Sequence, residues 1–141
     1  MPFLKMNEIE IVETFLRRDI QSLKGHVVGL IGPLGAGKTS LVKKLLKKIN
    51  SVFENQVHSP TFNICNIYSS PELDVHHFDL YRVETGEDLY DIEIWESIDN
   101  QSALIFIEWI DQFPELFCKC DEVITISIKE LDHRCYELGK N

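Results

Sequence analysis

Eight consecutive residues, Gly32-Pro33-Leu34-Gly35-Ala36-Gly37-Lys38-Thr39, have the types and spacing needed to hold a chain of phosphates. They fit the P-loop pattern G-x-x-x-x-G-K-[ST] at every defined position. Glycines tolerate positive φ, so such a loop turns several backbone N–H groups toward one point. A helix beginning near Gly37 would aim its positive dipole end at the same place. Lys38 then reaches the β- and γ-phosphates, and the Thr39 hydroxyl ligates Mg²⁺. The same chemistry needs an acid at the end of a buried strand, directed at the metal and the attacking water. Two residues compete for that place. Glu108 follows Leu104-Ile105-Phe106-Ile107, a run apolar enough for a central strand. Asp79 follows Val75-His76-His77-Phe78, which is less apolar and reads as an edge or half-exposed strand. Pattern alone favours Glu108 as the metal-side acid.

The surrounding elements must hold these groups in place. His26–Ile31 is an apolar run that reads as a buried strand leading directly into the loop. After the loop, Leu41, Val42, Leu45, Leu46 and Ile49 recur at helical spacing and define a buried face. Lys43, Lys44, Lys47 and Lys48 lie opposite and read as a solvated face, with an RNA or partner contact as the alternative. Upstream, Asn7 and Glu10 have the spacing of a capping box. Ile9, Val12, Leu16 and Ile20 then trace a helical stripe to about Asp19. Thr61–Tyr68 and Asp74–Arg82 read as strands joined by a turn at Ser69-Ser70-Pro71-Glu72. The stretch 87–98 reads as a short acidic helix or a pair of turns. Ala103–Ile107 is a buried strand, and Val123–Ile128 with His133–Leu138 forms a hairpin turning near Glu130–Asp132. Strands alternating with helices, plus two hairpins, predict an α/β fold: a three-layer P-loop NTPase with a mixed central sheet flanked by helices.

Length and charge narrow the function. The 141 residues fit one domain, 1–141, large enough to bury a core without staples. No run of 18 apolar residues is present and Met1–Lys5 lacks the apolar core of a signal peptide, which points to a cytoplasmic protein without a membrane anchor. The formal charge of −9 opposes any strong general affinity for a nucleic-acid backbone. The segment from Glu84 to Asp99 holds seven acids and no Lys or Arg. Cys118-x-Cys120 and His133-x-Cys135 invite a zinc reading, but the hairpin would place Cys135 opposite residue 126 or 127, roughly 20 Å along the strand from Cys120. His76 and His77 alternate across a strand, point to opposite faces and read as structural. His26 and His58 carry no usable signal.

Four elements in order, Gly32–Ser40 (GPLGAGKTS), Ser59-Pro60-Thr61-Phe62, His77-Phe78-Asp79-Leu80-Tyr81-Arg82 and Ile107-Glu108-Trp109, resemble the bacterial tRNA threonylcarbamoyladenosine biosynthesis ATPase family, TsaE or YjeE. The resemblance runs from about Glu13 to Trp109, with a weaker match in the last hairpin. It implies an ATPase that supports modification of adenosine 37 in ANN-decoding tRNAs, with ATP and Mg²⁺ as cofactors. Gly32, Gly35, Ala36, Gly37, Lys38, Thr39 and Ser40 would hold the nucleotide. Thr39, Glu108 and Asp79 would serve the metal, and Lys38, Asp79, Glu108 and Thr61 the reaction, with Thr61 in a switch-like loop. Trp109 would lie beside the nucleotide, and Thr14 and Arg134 would approach it. The implied partner is a TsaB–TsaD-type threonylcarbamoyl-transferase complex, with tRNA engaged only indirectly. The segment Leu89–Ile98 and its Trp95 depart from the family's helix there. Two other classes use the same loop. A small-molecule kinase needs an acceptor pocket and lid for which 141 residues leave little chain. A GTPase switch needs a guanine-reading N-K-x-D motif, which is absent, and Asp79 lacks the D-x-x-G glycine.

Overall fold

The computed structural model describes residues 3–57 and 63–140. Seven strands form one mixed sheet: β1 (Leu4–Met6), β2 (Val27–Ile31), β3 (Cys65–Ser69), β4 (Asp74–Asp79), β5 (Ala103–Glu108), β6 (Glu122–Ile128) and β7 (Arg134–Lys140), in the order β1-β7-β6-β2-β5-β4-β3. β4, β5, β2 and β6 are mutually parallel. The margins are antiparallel: β3 on β4, β7 on β6 and β1 on β7.

Strand alternation splits the core between the two faces. Val28, Leu30, Leu104 and Phe106 point to one face, where they meet Ile11 and Phe15 of α1 (Glu8–Leu16) and Leu41, Val42, Leu45 and Leu46 of α3 (Lys38–Ile49). Val27, Ile105 and Ile107 point to the other, where they meet Leu89 of α4 (Asp88–Asp91), Ile94 and Ile98 of α5 (Ile94–Asn100) and Leu116 of α6 (Pro114–Phe117). A short helix, α2 (Ile20–Leu23), leads into β2. The packing on this second face is close at Gly29, where an added Cβ would lie 2.9 Å from Ile110 and 3.0 Å from the Cys120 sulfur.

Several expectations are met residue by residue. Asn7 caps α1 through its side chain, 2.8 Å from the Glu10 N–H, and Glu10 returns a bond to the Asn7 N–H at 3.2 Å. The buried face of α3 is the expected one, with Ile49 partly buried. The last hairpin pairs Ser127 with Cys135. Glu87–Ile98 resolves into α4 and α5, separated by Glu93 at φ 59°.

Other expectations need correction. β4 is an interior strand, paired on both sides, and β3 is the edge. Its two histidines lowered its apparent apolarity, yet His77 is fully buried. The stripe on α1 is rotated: Ile11 and Phe15 are buried, whereas Ile9 and Leu16 are exposed. Both sets satisfy helical spacing, and packing on α3 and β7 selects between them. The helix also stops at Leu16, and Asp19 caps α2 instead. The chain leaves β4 after Asp79 in a turn closed by the Val83 N–H on the Leu80 carbonyl. β1 and α6 have no counterpart in the sequence reading. The start of the predicted strand at Thr61 lies outside the described residues. Among those described, no helix is long and apolar enough to cross a membrane.

An ion cluster fastens the amino ends of the parallel strands. Glu122, 1% exposed, accepts a fork from Arg18 and a bond from His26 Nε2 at 2.6 Å. Burial alone would raise its carboxyl pKa. The His26 and Arg18 hydrogen bonds override that and hold it at about 2. A folded pKa below the ordinary 4.5 means that the ionised cluster stabilises the fold above that value, and the contribution is lost as pH falls from 4.5 toward about 2. Glu122→Gln should cost about 2–3 kcal/mol near neutrality, less than a fully buried pair because 21% of the Arg18 side chain is exposed. Thermal melts in descending pH should show wild type and variant converging.

Candidate functional site

The carboxyl ends of β2, β5 and β4 open into a cleft of about 450 Å³. Ligand crevices in open α/β sheets form at this end of the strands. The Gly32–Thr39 loop leaves β2, crosses the mouth of the cleft and enters α3. Gly35 and Gly37 take φ values of 79° and 97°, which side-chain-bearing residues rarely adopt. At Gly32, an added Cβ would lie 2.9 Å from the Ile126 carbonyl oxygen, so the loop runs tight against β6. The first α-helical bond of α3 runs from the Leu41 N–H to the Gly37 carbonyl. The N–H groups of Lys38, Thr39 and Ser40 therefore precede the intrahelical ladder, and all three residues line the cleft.

Arg134, at the start of β7, secures this loop from the side. Its Nε donates to the Ala36 carbonyl at 2.8 Å and its Nη2 to the Gly35 carbonyl at 3.1 Å. It also lines the cleft, so it is placed to touch whatever the loop holds.

Lys38 is buried, at 5% exposure. Its Nζ donates to the carbonyls of Gly32 at 2.7 Å and Pro33 at 3.0 Å. It also lies 4.0 Å from the centre of the Trp109 ring, a cation–π distance. Burial lowers its pKa, while the charges of Glu108, Asp79 and Asp111 oppose that shift. Trp109 reaches this position because its φ is 65°, a left-handed turn immediately after β5. Its N–H remains tied to the Leu30 carbonyl at 3.1 Å, and the Tyr81 ring packs 5.0 Å away.

The two acids stand side by side. Asp79 and Glu108 are direct register partners at the ends of β4 and β5. Glu108 is 3% exposed, and its Oε2 accepts from the Thr39 hydroxyl at 2.8 Å and from His77 Nε2 at 2.5 Å. Asp79 is half-buried and accepts from the Tyr81 N–H at 3.0 Å. Burial raises the Asp79 pKa, the neighbouring Glu108 charge adds to this, and the Tyr81 hydrogen bond and the His77 and Lys38 charges oppose it.

Of the residues singled out from sequence, Gly35, Ala36, Gly37, Lys38, Thr39, Ser40, Asp79, Glu108, Trp109 and Arg134 line one cleft. Gly32 sits beneath it, in contact with Lys38. Thr14 does not line it: its hydroxyl donates to the Glu10 carbonyl of its own helix at 2.8 Å. Thr61 lies outside the described residues. Three contributors were not assigned from sequence. Tyr81 and Arg82 line the cleft because the turn after β4 folds over it. His77 was read as structural. The available signal was its spacing: two residues before Asp79, it shares that acid's face of the strand.

The fold and cleft define a class: an α/β protein with a glycine-rich loop at the start of a helix, a buried lysine and two paired strand-end carboxylates. A family model described as "Threonylcarbamoyl adenosine biosynthesis protein TsaE" matches residues 6–136. The chain belongs to that family. It is similar to the tRNA threonylcarbamoyladenosine biosynthesis protein TsaE of Rickettsia prowazekii, 32% identical over 129 residues, covering 91% of this chain and 86% of the relative. The protein of the same name from Aquifex aeolicus is 40% identical over 101 residues, covering 65% of this chain and 75% of the relative. The crystal structure of YdiB from Bacillus subtilus superposes with a TM-score of 0.58 at 23% identity, covering 99% of this chain and 86% of that one, a likeness of fold.

Proposed function

We propose that the cleft binds ATP with Mg²⁺ and hydrolyses it, in support of threonylcarbamoyladenosine formation on tRNA. The Gly32–Thr39 loop would be a P-loop, with the N–H groups that begin α3 and the Lys38 ammonium on the phosphates. The observation that carries the reading is the 2.8 Å separation between the Thr39 hydroxyl and the buried Glu108 carboxylate. Oxygens on adjacent vertices of an octahedron with Mg–O bonds of 2.0–2.1 Å stand about 2.9 Å apart. The pair therefore fits a hard, oxygen-loving cation. Bound Mg²⁺ would neutralise phosphate charge. Asp79, beside Glu108 and held from the Tyr81 backbone, is placed to orient the attacking water. Arg134 and Trp109 border the rest of the nucleotide.

A TsaB–TsaD-type complex is the proposed partner. All seven acids of the segment 84–99 are exposed, and the formal charge is −9. That surface suits a basic protein face and repels a polyanion such as free tRNA. Hydrolysis measured without any acceptor should favour ATP over GTP and rise when the partner complex is added. Charge reversal at Glu87, Asp88 and Asp91 should weaken the association. Tighter binding of GTP, phosphate transfer to a small metabolite, or tight tRNA binding by the protein alone would overturn the reading.

A further inference from the structure

A line of buried polar side chains crosses three adjacent strands and ends at the cleft. It starts at Tyr68 on β3, 2% exposed, passes through His77 on β4, 0% exposed, and reaches Glu108 on β5. The Tyr68 oxygen lies 3.0 Å from His77 Nδ1, and His77 Nε2 lies 2.5 Å from Glu108 Oε2. The neutral Nε2–H tautomer of His77 satisfies all three groups at once. An ionised carboxylate only accepts, so the ring proton facing Glu108 belongs to Nε2. In the neutral ring Nδ1 is then an acceptor, and the Tyr68 hydroxyl donates to it. Behind Tyr68, the Asn66 amide donates to the Tyr68 oxygen at 3.5 Å. Each donor thus faces toward the carboxylate.

Packing does not account for this line. His77 lies between Val75 and Asp79 on the face of the sheet that also carries Leu104 and Phe106. An apolar side chain there would extend the core, whereas a buried polar group left without its partner destabilises the fold. The line terminates on the oxygen that also accepts from Thr39. We propose that His77, backed by Tyr68, is a positioning residue. It pins Glu108 Oε2 beside the Thr39 hydroxyl, so that the two oxygens are set for a divalent cation before one arrives. This rests on the proposed nucleotide–Mg²⁺ reading of the cleft.

The test is calorimetric titration of ATP with and without Mg²⁺, which separates metal recruitment from nucleotide binding. In His77→Leu the gain in ATP affinity given by Mg²⁺ should fall by about tenfold, the lower end of the effect of losing a group that orients a metal ligand. Affinity for metal-free ATP should stay at the wild-type level. His77→Gln, whose amide retains an N–H for Glu108, should recover most of the gain, and Tyr68→Phe should lose about threefold. Nitrogen-15 spectra of the unaltered protein should show His77 protonated on Nε2, a readout that needs no variant to fold. A ring without a proton on Nε2 overturns the proposal. So does a folded His77→Leu that keeps the full Mg²⁺ gain, or one that loses metal-bound and metal-free affinity equally. Glu108→Gln distinguishes the two levels. If Glu108→Gln loses the Mg²⁺ gain and His77→Leu does not, only the positioning role fails. If Glu108→Gln keeps it, the metal reading fails and the role of His77 falls with it.

Discussion

Lys38→Ala should weaken binding of ATP–Mg²⁺ by at least about 100-fold, the loss of two charge-assisted hydrogen bonds at roughly 1.5 kcal/mol each. The ammonium lies beneath the loop, held by the Gly32 and Pro33 carbonyls and roofed by the Trp109 ring. Those contacts show that the side chain has packing duties as well as charge. Truncation to alanine removes both, so a modest drop in melting temperature should accompany the loss of binding. Lys38→Met separates them: it keeps an apolar stem under the indole and removes only the charge. Both variants should retain the wild-type circular dichroism spectrum. Calorimetric titration showing wild-type affinity in Lys38→Met would remove the ammonium from the phosphate site.

Glu108→Ala and Asp79→Ala should each slow ATP hydrolysis by at least tenfold, about 1.4 kcal/mol of transition-state stabilisation, but the two carboxylates act differently on stability. Glu108 satisfies His77 and Thr39 in a buried setting. Its removal leaves those donors unpaired, and the protein should melt earlier. Asp79 is different, because burial and the Glu108 charge raise its pKa. A carboxyl with a folded pKa above its unfolded value opposes folding once ionised, and the fold gains stability as pH falls through that raised pKa toward 3.8. Asp79→Asn keeps an acceptor for the Tyr81 N–H and discards the charge. It should be as stable as the wild type or more so at neutral pH while remaining a poor ATPase. Glu108→Ala should also show a weaker dependence on Mg²⁺. Normal hydrolysis by Asp79→Asn would reduce Asp79 to a structural strand end.

The parts of this molecule that follow local rules were legible in the sequence. The glycine loop, the capping box at Asn7, the buried face of α3 and the β6–β7 hairpin depend on neighbours a few residues away. What escaped depends on distant partners. Ile9 and Leu16 fit helical spacing as well as Ile11 and Phe15 do, and only the packing of α1 on α3 and β7 tells them apart. β4 looked like an edge because His76 and His77 dilute its apolar character. His77 can be buried in the interior because Tyr68 and Glu108 satisfy it from either side. Glu122 gave no sign of burial because the groups that compensate it, Arg18 and His26, are remote in sequence. Trp109 in a left-handed conformation is no better signalled, since its backbone is fixed by the Leu30 carbonyl and its ring by Lys38.

The order of strands also governs when the cleft comes into being. The loop hangs from β2, yet β2 has no partner nearby in the chain: Val27 pairs with Ile105 and Val28 with Glu122. During synthesis, the residues of the glycine loop emerge early and wait for most of the polypeptide before their strand is held on both sides. Non-local parallel pairing of this kind folds slowly and leaves strand edges open meanwhile. A chain that stops before β6 therefore carries the whole glycine loop and has no formed site. The cleft is completed only as a late event in folding, once the last third of the protein has closed around the first.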